Sequence, residues 1–418
     1  MQTSTIARVG IIGGGLFFTI TGMANPFFTL YAAEMGATTL EIGFIVTLRA
    51  LLPIVTAMPT GQLIDSLGPV KMLQLGALLL LISLLNTVFA HSVPMLALSQ
   101  LFMGSAVIIV ASSLQVLVSN GDRKTRNKAI TTYSMWMSGG GMLGPLLGGV
   151  LSSFFEVPAD GYRSTFVASA VATTICMLIL IWIARRYPHP TPDEGELRSV
   201  LSLKGYVASY RRGIDLTTVR PVQFGLVGTF VIMYIQALYM GFLPLYLAQF
   251  GYSALQIATI LSWQGLAGMM SRLIVNWLMR RYSLEHILAG AGFLASICVV
   301  LTPVVAHNIV LTYILIFLLG AATGVNLPVS IMIMVDAVGE DQRGKLMGLR
   351  LLVNRFSQTM SPAIFGILGS AVGLTTAFFA GGAVLVATMC GFSAYARHMA
   401  KASAANVSDS SSTSLKDD

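Results

Sequence analysis

Four arginines lie inside long apolar stretches of the sequence, namely Arg49, Arg272, Arg350 and Arg355. A charge in such a stretch is costly, so each arginine is a candidate for function. Arg272 and Arg350 are near the ends of their stretches, where a long side chain can reach water. Arg49 and Arg355 lie deeper, and no Asp or Glu occupies the middle of any stretch. Because a guanidinium group suits carboxylates and phosphates, Arg49 and Arg355 predict a binding site for a small anionic or zwitterionic organic molecule.

Other polar and aromatic side chains in the apolar stretches could line the same site. Each is as well explained by a hydrogen bond between helices as by contact with a ligand, and a site of broad specificity can be largely apolar. The candidates are Asn25, Tyr31, Gln115, Tyr234, Gln236, Tyr239, Gln264, Asn326 and Asn354.

The sequence lacks the patterns typical of enzymes and cofactor-binding proteins. The three cysteines and five histidines have no metal-site spacing, and no G-x-x-x-x-G-K-S/T loop for ATP is present. No grouping of His, Asp, Ser or Cys indicates catalysis. We therefore expect no metal, no cofactor and no enzymatic activity.

The elements that must position these residues are membrane-spanning helices. The 418 residues are 55% hydrophobic and 10% charged, with a mean hydropathy of +0.78. Apolar runs long enough to cross a bilayer recur along the chain without the alternation of a barrel strand. They predict an all-α membrane protein with twelve spans at 9–33, 41–64, 71–91, 94–118, 132–155, 164–185, 221–248, 254–279, 286–306, 308–335, 346–371 and 374–397.

The basic residues predict the orientation of these spans. With the N-terminus in the cytoplasm, twenty of the 25 Lys and Arg fall on the cytoplasmic side, Arg163 falls outside and four lie within spans. This asymmetry follows the positive-inside rule. It predicts a multi-pass inner-membrane protein with both termini cytoplasmic. The net charge of +8 is then a result of topology and does not indicate nucleic-acid binding.

The two halves of the chain resemble each other. The segment 29–43 aligns with 244–258 at an offset of 215 residues, and 126–134 aligns with 343–351 at an offset of 217. A parallel repeat of six helices predicts two pseudo-symmetric bundles. The predicted domains are a first half at 1–185, a cytoplasmic linker at 186–220, a second half at 221–397 and a disordered Ser-rich tail at 398–418.

Two motifs suggest moving parts. The segment 61–71, GQLIDSLGPVK, lies between the second and third spans and contains Gly61, Asp65, Gly68 and Lys71. Gly68 allows a tight turn, and Asp65 can meet the positive end of another helix. We expect these residues, with Arg350, to form a conformational gate.

The second motif is the segment 140–149, GGMLGPLLGG, in the fifth span. Small residues at helical spacing allow close helix packing, and a proline softens the helix. The motif residues are Gly140, Gly144, Pro145, Gly148 and Gly149.

Both motifs resemble those of the major facilitator superfamily, and the second resembles that of its drug–proton antiporters. The resemblance covers nearly the whole chain. It implies a secondary transporter that works by alternating access and exports a small organic compound in exchange for protons. Two departures are visible: Arg280 replaces the aspartate in the second copy of the first motif, and Gln100 stands where many relatives have an arginine.

Alternatives to export remain open. The same fold would suit an importer of an organic anion or a siderophore, or a membrane sensor that transports nothing. We expect a monomer in the lipid bilayer, with protons as the coupling ion.

Overall fold

The computed structural model describes residues 2–119, 123–186, 215–339 and 342–414. Twelve α-helices form most of this part of the chain, and it contains no strand. The helices are α1 (Gln2–Glu34), α2 (Thr39–Leu67), α3 (Pro69–Val88), α4 (Val93–Val118), α5 (Arg123–Ser152), α6 (Pro158–Arg186), α7 (Arg220–Gln249), α8 (Ala254–Met279), α9 (Leu284–Val305), α10 (Ile309–Asp336), α11 (Arg343–Val372) and α12 (Leu374–Ser414). Each predicted span coincides with one helix, which confirms the predicted fold class.

The starts of α2 and α8 show the internal repeat in atomic detail. Each helix begins with a capping box, in which two residues satisfy each other's free backbone N–H groups. In α2 the pair is Thr38 and Glu41, and 215 residues later in α8 it is Ser253 and Gln256. Two residues before each box stands a glycine with a positive φ, +85° at Gly36 and +78° at Gly251. A side chain would be strained in that conformation.

The helix connections define two ends of the molecule. We call the end with the turns at 35–38 and 250–253 the far end. We call the end with Gly68 and the end of α6 the linker end. Gly68 joins α2 to α3 with a φ of +86°. Most of the predicted linker at 186–220 lies outside the described residues, because 187–214 are not among them. Within the described part of the linker, Asp215–Thr218 forms a short 3-10 helix.

The halves meet mainly along four helices, which are α2, α5, α8 and α11. In the first half α1 packs against α4, α5 and α6, and α3 packs against α4 and α6. In the second half α7 packs against α9, α10 and α11. Between the halves α2 packs against α11 and α5 packs against α8, with α1 also touching α7.

Nine of the described helices are long and apolar enough to cross a membrane on their own. The other three are α5, α8 and α11, which all lie between the halves. They are less apolar because one face packs against the other half or borders the space between the halves, where polar and small residues are useful. The chain is thus a multi-pass membrane protein in which three helices between the halves are less apolar than the other nine.

The last helix extends beyond the predicted apolar span. α12 runs through Ser414, into the segment 398–418 for which the sequence predicts disorder. The stretch just beyond the predicted boundary is rich in alanine, the strongest helix former. The helix therefore continues past the apolar span.

Candidate functional site

A cavity of about 390 Å³ lies between the two halves. The first half contributes α1, α2, α4 and α5, and the second contributes α7 and α11. Most of the lining is apolar or small. The polar and charged side chains in the wall are Thr21, Asn25, Thr29, Arg49, Gln100, Gln236, Arg355 and Gln358.

Arg49 is held in the wall by its neighbours in the first half. Its Nη1 donates a 2.7 Å hydrogen bond to Asn25 Oδ1 on α1. Gly104 on α4 lies against the backbone carbonyl of Arg49, where a Cβ would collide with the carbonyl oxygen. The glycine thus lets α2 and α4 approach closely at the depth of the arginine.

Arg355 occupies the second half's side of the same cavity. Its Nη1 donates a 3.0 Å hydrogen bond to Gln358 Oε1, one helical turn further along α11. The Gln358 amide in turn contacts Met233 Sδ at 3.5 Å. The Nε of Arg355 is buried and has no hydrogen-bond partner among the described residues.

The cavity is positively charged. Arg49 and Arg355 carry like charges in its wall, and none of the described residues that line the cavity is acidic. Both arginines are held by neutral amides, which orient a guanidinium group without neutralising it. The arrangement is suited to an anion that accepts hydrogen bonds from both halves.

Four of the predicted binding residues therefore share the cavity: Asn25, Arg49, Gln236 and Arg355. Gln100 and Gln358 also line it, although we did not predict them. Gln358 follows Arg355 by three residues, the spacing at which helix side chains meet. That spacing could have identified it.

Three predicted binding residues instead make hydrogen bonds between helices. Tyr31 is buried, and its hydroxyl accepts a 3.1 Å bond from Arg163 on α6. The Tyr239 hydroxyl is bonded to Thr302 on α9. Asn326 is fully buried and donates to the Gly228 carbonyl at 3.1 Å.

The remaining four predicted residues lie outside the cavity lining. Gln115 is exposed in the last turn of α4. The side chains of Tyr234 and Gln264 are half-buried. Asn354 is half-buried as well, and its Oδ1 has no partner among the described residues.

The predicted gate lies at the linker end. Asp65 is in the last turns of α2, but its side chain lies outside the described part of the structure. A Cβ on Gly61 would meet nothing within 4 Å. Lys71 is half-buried at the start of α3. Arg350 is 8% exposed, and neither its Nε nor its Nη2 has a hydrogen-bond partner among the described residues.

The glycines of the second motif serve two different contacts. Gly140, Gly144 and Gly148 face α1 of their own half; a Cβ on Gly144 would lie 2.6 Å from the Thr19 carbonyl oxygen. Gly149 faces α8 of the other half, against Leu255 and Ala258. Most of the motif thus packs α5 against α1, and only its last residue, Gly149, lies at the interface between the halves.

Comparison with known proteins identifies the family. A family model described as Major Facilitator Superfamily matches residues 10–307 and 225–410. The chain belongs to the major facilitator superfamily. It is therefore a membrane transporter and not an enzyme, as the sequence predicted.

Similar proteins include several named for drug resistance. The chain is 27% identical over 190 residues to "Multidrug resistance protein MdtG" of Dickeya zeae (strain Ech586), covering 44% of this chain and 45% of that protein. It is 25% identical over 325 residues to "Multi-drug resistance efflux pump PmrA homolog" of Lactococcus lactis subsp. lactis (strain IL1403), covering 75% and 76%. It is 28% identical over 139 residues to "Methyl viologen resistance protein SmvA" of Salmonella typhimurium (strain 14028s / SGSC 2262), covering 33% and 28%. The match thus spans less than half of the MdtG and SmvA relatives.

Solved structures share the fold over almost the whole chain. A bacterial homologue of the human lysosomal transporter Spinster, in an inward-facing and occupied conformation, has a TM-score of 0.75 at 13% identity, covering 94% of this chain and 97% of that one. The nucleoside transporter NupG has a TM-score of 0.73 at 12% identity, covering 93% and 98%. At these identities the likeness establishes the fold alone.

Proposed function

We propose that this transporter exports a small organic anion or zwitterion across the inner membrane by alternating access, in exchange for protons. The direction is supported by the relatives named for efflux and resistance and by the resemblance of segment 140–149 to the antiporter motif. The substrate class is supported by the charge of the cavity.

The observation that carries the substrate class is the pairing of Arg49 and Arg355 across one cavity. A charge inside a membrane costs about 2.5–3.5 kcal/mol on insertion scales, and two like charges facing each other add to that cost. Neutral amides hold both arginines. An anion bound between them offsets the repulsion, which makes the loaded cavity more favourable than the empty one.

The same pairing suits alternating access. Arg49 belongs to the first half and Arg355 to the second, so a single anion can bind both halves at once. A ligand shifts a conformational equilibrium only through contacts that differ between the states. An anion bridging the halves has such contacts, because the two arginines separate or approach as the halves rock.

Asp65 is proposed as the latch at the linker end, acting with the start of α11 and Arg350. A carboxylate there is attracted to the positive end of a helix. The latch would stabilise the state in which the linker ends are closed.

Transport by everted membrane vesicles tests the proposal. The substrates are small aromatic carboxylates, each paired with its carboxamide of nearly equal size. We expect carboxylates to accumulate when respiration acidifies the vesicle interior, and nigericin to abolish the accumulation by collapsing the pH gradient. The carboxamides should not accumulate.

Each result has a definite meaning. Equal accumulation of acids and amides would contradict the substrate class. Accumulation only in right-side-out vesicles would favour the importer. Accumulation that survives nigericin would contradict proton exchange, and no transport in either orientation would favour a sensor.

A further inference from the structure

A second cavity lies within the first half of the transporter. It has a volume of about 290 Å³ and is lined by α1, α3, α4 and α6. Its wall is almost wholly apolar and includes Val9, Ile12, Leu16, Leu73, Leu180 and Ile183. We call it the side crevice.

The side crevice opens toward lipid. Ile12 on α1 and Ile179 on α6 line it and are 47% and 51% exposed. Both residues lie in helices long and apolar enough to span the membrane, so their exposed surface faces acyl chains. Phe17 lines both the side crevice and the cavity between the two halves, which we call the central cavity.

The linker end of the side crevice is basic. Arg8 lines it directly. Lys71 lies in the first turn of α3 and Arg185 in the last turn of α6, so both are at the linker end of helices that line the crevice. Across the described residues of α1, α3, α4 and α6, the halves nearer the linker end contain no Asp or Glu. The positive charge at this rim is therefore not offset by acids on the same helices.

We propose that the side crevice binds one acyl chain of an anionic phospholipid, with the lipid phosphate between Arg8, Lys71 and Arg185. An apolar slot whose linker end carries Arg8 matches the two parts of such a lipid, and Lys71 and Arg185 add positive charge at the same end of the lining helices. The crevice lies open to a leaflet in which lipids are the most abundant apolar molecules. Basic residues at the membrane surface favour anionic over zwitterionic lipids.

A native cysteine reports on the occupancy of the side crevice. Cys176 lines it and is half-buried, whereas Cys298 is buried and Cys390 is exposed elsewhere. With Cys390→Ser as background, an apolar maleimide applied to the detergent-purified full chain should modify Cys176. We expect added phosphatidylglycerol to slow this reaction, and phosphatidylethanolamine with the same acyl chains to leave it nearly unchanged.

A variant that lacks two of the basic residues tests whether they bind the lipid phosphate. Arg8→Gln combined with Arg185→Gln should raise the phosphatidylglycerol concentration needed for protection by about 25-fold, at roughly fivefold for each basic residue. The matched control is Arg280→Gln with Arg281→Gln, which removes two exposed cations from the end of α8 in the other half. The control should need the same lipid concentration as the parent protein.

Three results would overturn the proposal. They are equal protection by both lipids, unchanged protection in the Arg8 and Arg185 variant, and no protection by either lipid. Monodisperse elution and an equal labelling rate without lipid show that the variants are folded. The test contains no transported substrate and measures no transport, so its result does not depend on the proposed function.

Discussion

Gly43 in α2 and Gly366 in α11 touch backbone to backbone at the far end: a Cβ on Gly43 would lie 2.7 Å from the Gly366 Cα. The internal repeat relates this contact to a second one. Gly149 in α5 lies against Ala258 in α8. In the internal repeat Gly149 corresponds to Gly366, at the offset of 217 residues, and Ala258 corresponds to Gly43, at the offset of 215. The far ends of the halves are thus joined by two equivalent contacts, each with one helix from each half.

Gly43→Ala should weaken this far-end closure. Alanine normally stabilises a helix by about 0.5–1 kcal/mol relative to glycine, but here the new methyl group meets backbone that cannot rotate away. Spin labels at Ala37→Cys and Ala371→Cys should report a longer or broader distance across the far end. Gly139→Ala is the control, since a Cβ there meets nothing within 4 Å. An unchanged distance in Gly43→Ala would mean that the contact does not hold the far end closed.

Arg49→Gln and Arg355→Gln should each raise the KM for an anionic substrate about ten- to a hundredfold. That range corresponds to the loss of a charge-assisted hydrogen bond, about 1.5–3 kcal/mol. The lysine variants should retain part of the transport because they keep the charge. Initial rates in vesicles, normalised to the monodisperse yield, provide the measurement. If both glutamine variants keep the parental KM and only the yield falls, the arginines are structural.

Tyr239→Phe should lower thermal stability and leave KM unchanged. The hydroxyl bonds to Thr302 on α9 and does not line the central cavity. A lost buried hydrogen bond costs about 0.5–1.5 kcal/mol net, with more when the remaining partner stays unsatisfied. Differential scanning fluorimetry and transport kinetics on one preparation separate the two effects. A raised KM at unchanged stability would restore Tyr239 as a binding residue.

Asp65→Asn should slow transport without weakening substrate binding. The substitution keeps the size of the side chain and removes the charge that the proposed latch needs. Disulfide cross-linking between cysteines placed across the linker ends of α2 and α11 should become slower. Cross-linking at the parental rate would exclude the latch.

Cysteines introduced on opposite sides test the orientation. Ser209→Cys lies in the linker and should resist an impermeant maleimide in intact cells, whereas Ser153→Cys, in the turn after α5, should react. The expectation rests on the distribution of the basic residues. Permeabilised cells serve as the control, and the reverse labelling pattern would invert the proposed topology.

The fold was predictable because apolar length and loop charge are read directly from the sequence. The repeat was also readable, since Gly36 and Gly251 mark identical turns. The site was predictable only in part. A charged residue in an apolar run is unusual whichever way its side chain points, so Arg49 and Arg355 were predicted as site residues. Tyr31 and Asn326 looked equally polar, but they face neighbouring helices, and a single helix sequence does not reveal which neighbour a side chain faces.

The limited apolarity of α5, α8 and α11 bears on how the chain enters the membrane during synthesis. A helix that is marginal in lipid is best released from the insertion machinery beside a partner that is already in place. Each of these three helices packs against a helix that precedes it in the chain. These earlier partners are α1 for α5, α5 for α8, and both α2 and α7 for α11. α8 packs extensively against α5 and α10. Of these two helices only α5 is synthesised before α8, and α5 belongs to the first half. If the second half were synthesised alone, α8 would therefore be the first helix to enter the membrane without an extensive partner already in place.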